Sequence, residues 1–75
     1  MQLDNDRIDQ AVLALLLLGH HDYNRAWKTF DWDAMDRLHA KGLISDPRGK
    51  AKSVAFSEEG LREAKRLIEE LFGTR

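Results

Sequence analysis

The segment RGKAK sets Arg48, Lys50 and Lys52 at alternate positions, with small Gly49 and Ala51 between them. In an extended strand this alternation points all three cations to one side, and a row of cations is the chemistry that meets nucleic-acid phosphates. The same row also keeps an exposed hairpin edge soluble and stops it pairing with another chain. A second group, Tyr23, Trp27, Phe30 and Trp32, has Arg25 and Lys28 interleaved. Aromatics among cations suit base stacking or a cation–π platform. Large aromatics beside a short helix also close a small core, the reading we favour for Trp27, Phe30 and Trp32. Arg25 and Lys28 are then the solvent-side contributors.

His20, His21, Asp22 and His39 are residue types that ligate zinc, copper or nickel. Adjacent histidines diverge in direction, and no two histidines stand at i, i+4 on one helix. We therefore read a solvated loop and expect no metal. No nucleophile elbow or glycine-rich phosphate loop appears, and Ser45, Ser53 and Ser57 fall at strand or cap positions. Neither catalytic residues nor a cofactor is expected, so the chain is not read as an enzyme.

These residues must be held by a small frame. The chain has 75 residues, 43% apolar and 33% charged, with a net charge of −1 and no cysteine. Such a composition describes one folded domain over residues 1–75 rather than a disordered chain. Without disulfides a domain of this size is marginally stable, and a second copy would help it. The absence of cysteine suits the cytoplasm. The longest apolar run, Ala11 to Leu18, is well short of the roughly 20 residues of a membrane span, so no membrane partner is expected. Near-neutral charge gives no global attraction to a polyanion. Locally, residues 43–56 set Arg48, Lys50 and Lys52 against Asp46 alone, the only net-positive segment.

Local signals give the elements. Asp4 and its neighbours offer an N-cap, and Ile8, Ala11, Val12, Leu15, Leu16 and Leu18 recur at helical spacing up to Gly19. The end of this helix is apolar all round, which suits a core helix shared in part with a second subunit. Asp22 is placed to cap a short helix in which Tyr23, Ala26, Trp27 and Phe30 follow i, i+3, i+4, i+7. Asp31 caps a third helix, whose buried stripe is read as Trp32, Met35 and Leu38 and which Gly42 ends. Leu43 and Ile44 begin a strand, DPRG makes a type I turn, and Ser53 to Phe56 returns. Ser57 caps a last helix with Leu61, Ala64, Leu67, Ile68, Leu71 and Phe72 on one face. The expected fold is mainly α with a small β-hairpin, in the order helix-helix-helix-strand-strand-helix.

A helix ending in RLHAKGLI, a turn-tipped hairpin and FSEEG opening a helix together resemble the back half of a winged helix-turn-helix domain, most like MarR-type and PadR-type regulators. The resemblance covers about Asp31 to Leu71. It implies that Asp22 to Phe30 is the first helix of the motif, Trp32 to Lys41 the recognition helix and Arg48 to Lys52 the wing. It also implies a dimer built by the outer helices, here through Leu15, Leu16, Leu18, Leu61, Ile68, Leu71 and Phe72. One departure stands out: Asp31, Asp33 and Asp36 occupy the start of the recognition helix, where a polyanion would be repelled. NRAWKTFDWD, RLHAKGLISD and GKAKSV also resemble a group of short bacterial proteins of unknown function.

The leading expectation is a small non-enzymatic, cytoplasmic, dimeric winged-helix protein. It binds DNA weakly, in a transcription-regulatory role, through Arg48, Lys50 and Lys52, helped by Lys28 and Arg25. The alternative is a winged-helix module for protein–protein interaction or dimerisation without nucleic acid, favoured by the neutral charge and the acidic recognition helix.

Overall fold

The computed structural model describes residues 1–22, 25–28, 31–49 and 51–74, with His20, His21, Asp22 and Trp27 described through their backbone alone. Expectations that fall on Tyr23, Phe30, Lys50 and those four side chains lie outside the described residues.

Asp4 Oδ1 accepts from the Asp6 and Arg7 N–H groups at 3.0 and 3.2 Å, opening α1 (Asn5–Leu18). The helix turns about 100° per residue, and that rotation divides its leucine run. Leu13 and Leu16 are buried, whereas Leu15 and Leu18 are exposed. Leu16, expected at a subunit seam, is thus enclosed by the chain's own core. α1 packs against α3 (Glu58–Phe72) most extensively and then against α2 (Trp32–Ala40). Leu13, Met35, Leu38 and Leu67 are almost fully buried where these helices meet, and each such side chain contributes about 1.5–3 kcal/mol of burial free energy.

α2 starts where Asp31 Oδ1 accepts from Ala34 N–H at 3.0 Å. It ends in a Schellman motif: Gly42 N–H donates to His39 O at 2.9 Å and Leu43 N–H to Leu38 O at 3.0 Å. Gly42 carries a φ of 76°, a left-handed conformation that glycine adopts without strain. Ser57 caps α3, its Oγ accepting from Gly60 N–H at 2.9 Å while donating to Gly42 O at 2.7 Å. A Cβ on Gly60 would stand 1.9 Å from the Leu43 carbonyl oxygen. α3 can therefore begin directly against the chain leaving α2 only with glycine at that position.

Three short strands, β1 (His20–Asp22), β2 (Arg25–Trp27) and β3 (Ser53–Ala55), form an antiparallel sheet in the order β1-β2-β3. β2 pairs with β3 in the register Arg25 to Ala55, Ala26 to Val54 and Trp27 to Ser53. On the other side of β3, Ile44 bridges Phe56 and Ser45 N–H donates to Ala55 O at 2.8 Å. β3 thus returns from the hairpin with partners on both flanks.

The protein is mainly α with a small antiparallel hairpin, and α2, the hairpin and α3 succeed one another in a winged-helix-like layout. The short helix expected between α1 and α2 is a correction, since Arg25–Trp27 is strand. The helical spacing of Tyr23, Ala26, Trp27 and Phe30 competes there with β-favouring aromatics. So short a helix is marginal by itself, whereas the strand gains a ladder to β3 and sets Ala26 opposite Val54, both fully buried. His20 to Asp22, expected in a solvated loop, likewise have strand backbone.

Candidate nucleic-acid interface

The antiparallel β2–β3 pairing brings the residue after β2 beside the residue before β3. Lys28 N–H donates to Lys52 O at 3.1 Å, so two cations 24 positions apart in sequence become neighbours. Lys28 Nζ continues to the Gly49 carbonyl at 2.9 Å. At the tip, Asp46 Oδ1 accepts from Arg48 N–H at 2.9 Å, and Asp46 O accepts from Gly49 N–H at 3.4 Å. The expected Asp-Pro turn is present, and its Pro47 is buried.

The Arg48 guanidinium leans onto α2. Its Nε donates to Asp36 Oδ1 at 3.1 Å and a terminal nitrogen donates to Oδ2 at 2.5 Å. Hydrogen bonding from Arg48, opposed by some desolvation and aided by the charges of Arg48 and His39, holds the Asp36 carboxyl below its usual range. Asp36 reciprocally raises Arg48, with Asp33 and Asp46 adding to the effect. Trp32 is a second correction: expected in the core, it is 42% exposed. Ala34, Met35 and Leu38 fill the buried face of α2, and the indole at the first helical position projects past the rim of the core. Lys28 Nζ lies 5.6 Å and the Arg48 guanidinium carbon 5.2 Å from the ring centroid, both within cation–π range.

Of the five basic residues singled out, Lys28 and Arg48 converge on Trp32, and Lys52 is joined to Lys28 through its backbone carbonyl. Arg25 is turned into the sheet, donating from Nε to Ser53 Oγ at 3.0 Å and from a terminal nitrogen to Ser53 O at 3.2 Å. Its role here is to brace β2 on β3.

Sequence reasoning missed the most buried charge among the described residues. Asp9 is 1% exposed. Its carboxylate accepts from Arg37 Nε at 2.8 and 3.0 Å and from Lys41 Nζ at 3.0 Å, and forms an ion pair with the Arg37 terminal nitrogen at 2.8 Å. The Asp9 hydrogen bond first, then the charge of Asp9 and the Asp6 contacts, raise the Lys41 ammonium above its usual range against opposing desolvation. The available signal was a carboxylate at i, i+4, i+7 with Leu13 and Leu16, facing cations at i, i+4 on the next long helix. A groove of about 370 Å³ opens beside this network, lined among others by Asp6, Asp9, Glu59 and Glu63, and its acidic wall is unsuited to a polyanion.

Large apolar residues stand exposed at the C-terminal ends of both outer helices, Leu15 and Leu18 on α1 and Leu71 and Phe72 on α3. Leu61 and Ile68 pack partly buried against the core. Among the described residues no three metal-ligating groups converge, and His39 Nδ1 donates to Ile44 O at 3.0 Å. No described helix is long and apolar enough to cross a membrane.

A Sinorhizobium fredii protein, described as uncharacterized protein y4hR, is 53% identical over 72 residues, covering 96% of this chain and 97% of the relative. No solved structure matches the chain. A family model described as Domain of unknown function (DUF6429) matches residues 4–74, and together with the near-full-length relative this shows that the chain belongs to that family of unknown function.

Proposed function

We propose that this is a small non-enzymatic DNA-binding protein, of transcription-regulatory type, that grips phosphates with Lys28, Arg48 and Lys52, joined by Lys50 of the same sequence segment. The observation that carries this reading is the approach of Lys28, the residue after β2, to the hairpin tip through Gly49 and Lys52. A local basic face is what a protein of net charge −1 needs to approach a polyanion. The mode is backbone contact rather than reading by a helix in the major groove. α2 opens with Asp31, Asp33 and Asp36, and strand occupies the segment where a helix-turn-helix would have its first helix. Affinity is accordingly weak and strongly dependent on salt.

The exposed Leu15, Leu18, Leu71 and Phe72 favour a second reading, a module for self-association or protein interaction in the cytoplasm without nucleic acid. Titrating isotopically labelled protein with a short DNA duplex at about 50 and then about 200 mM salt separates the two. Amide shifts centred on Lys28 and on Arg48 to Lys52 that vanish at the higher salt support DNA binding. No shifts at either salt leave the protein-interaction module as the function.

A further inference from the structure

Arg48 gives both arms of its fork to one carboxylate, at 3.1 and 2.5 Å. Arginine holds a phosphate by the same bidentate geometry, a planar pair of N–H groups against two oxygens. The pair sits at the surface, with 59% of the Arg48 and 40% of the Asp36 side chain exposed. Water already competes for both partners there, so exchanging one oxyanion for another costs little. The hairpin tip does not depend on this ion pair for its position. Asp46 holds the Arg48 and Gly49 N–H groups, Lys28 Nζ holds the Gly49 carbonyl, and Arg48 and Lys28 both rest on Trp32. Removing the carboxylate therefore frees the fork while leaving the tip in place.

Building on the DNA-binding reading above, we infer that Arg48 and Lys28, seated on Trp32, form a phosphodiester subsite whose resident occupant is Asp36, an internal carboxylate that latches the Arg48 fork until a backbone phosphate displaces it. The latch gives the acidic start of α2 a function that base reading does not supply. Asp36 lowers basal affinity for every DNA sequence alike, because it competes for a phosphate contact and not for a base.

The test measures binding of a fluorescein-labelled 16-base-pair duplex by the full chain across about 50 to about 200 mM salt. The variants are Asp36→Ala, Asp36→Asn and Asp36→Ala combined with Arg48→Ala. Alanine favours the helix, asparagine keeps the size of the side chain, and melting curves show that each variant is folded. We expect both single variants to bind roughly fivefold tighter than the parent at the low salt. The slope of log K against log salt should steepen by about 0.9, one added phosphate contact, and the second substitution should abolish both gains. Binding first detected only after Asp36 is replaced also supports the latch. Parent binding that Asp36→Ala and Asp36→Asn leave unchanged or weaken overturns the latch while DNA binding stands. A gain that survives the loss of Arg48 overturns the subsite, since simple removal of negative charge then accounts for it. No binding by the parent or either single variant overturns the inference and the DNA-binding reading together.

Discussion

Two arginine–carboxylate pairs meet at neighbouring residues of α2, and their surroundings separate their roles. Arg37 grips Asp9, whose side chain is 2% exposed, and ties α2 to α1. Asp36, one residue earlier, takes the Arg48 fork at the surface with 40% of its side chain exposed. Both are close guanidinium–carboxylate contacts, but desolvation differs. Withdrawing Asp9 from water makes its cations indispensable, because a buried carboxylate left unpaired is strongly destabilising. The surface pair gains little over hydration and can be exchanged. One chemistry therefore serves as a structural clamp on one face of α2 and as a releasable contact on the other.

The contrast can be broken most severely at Arg37. Replacing Arg37 with Met leaves Asp9 buried with Lys41 alone, and we expect a loss of about 3 kcal/mol, the low end of the range for a broken buried pair, because one carboxylate oxygen keeps its cation. For a domain of this size the fall in Tm is on the order of 12 °C or more, read by calorimetry or circular dichroism. A loss comparable to that of an exposed pair would show that water reaches Asp9 freely. The Lys41→Met change is milder, about 1 kcal/mol, since Arg37 remains. Its pH dependence has a definite sign: Lys41 is raised in the folded protein, so its stabilisation is complete below the ordinary lysine range and is lost as pH rises through the higher folded value. Alkaline melting of the parent should approach that of Lys41→Met.

The smallest effect belongs to the surface pair. Asp36→Ala should shift the unfolding midpoint only slightly, and the difference from the parent should shrink further in molar salt. Asp36 is lowered in the folded protein, so its contribution is present above the ordinary carboxylate range and is lost as pH falls through the lower folded value. A chemical-denaturation series between neutral and acidic pH checks that direction. A large loss at neutral pH would place the hairpin clamp in the same class as the Asp9 network.

Much of the frame was legible. The caps Asp4, Asp31 and Ser57 and the stop at Gly42 are short-range signals, and each forms as expected. The basic hairpin and its Asp-Pro turn were legible for the same reason. The strand at Arg25–Trp27 was not, because its helical spacing is equally present in the residues and its partner in the ladder is remote. Trp32 was assigned inward by type and spacing, yet Met35 and Leu38 occupy the inward face and the indole carries the cations instead. Arg25 and Lys28 were grouped as equivalents, and only the sheet register separates the residue bound to Ser53 from the one at the tip.

The sequence by itself determined the helix ends, the turn and the single basic segment, because those depend on groups within about one turn of backbone, where a capping side chain or a glycine acts without knowledge of the fold. Tertiary structure alone decided which charges are clamps and which are available. Arg37 meets Asp9, and Arg25 meets Ser53, each across 28 positions of chain. Contacts at such separation exist only after the core has closed, and the burial that closure imposes sets their strength.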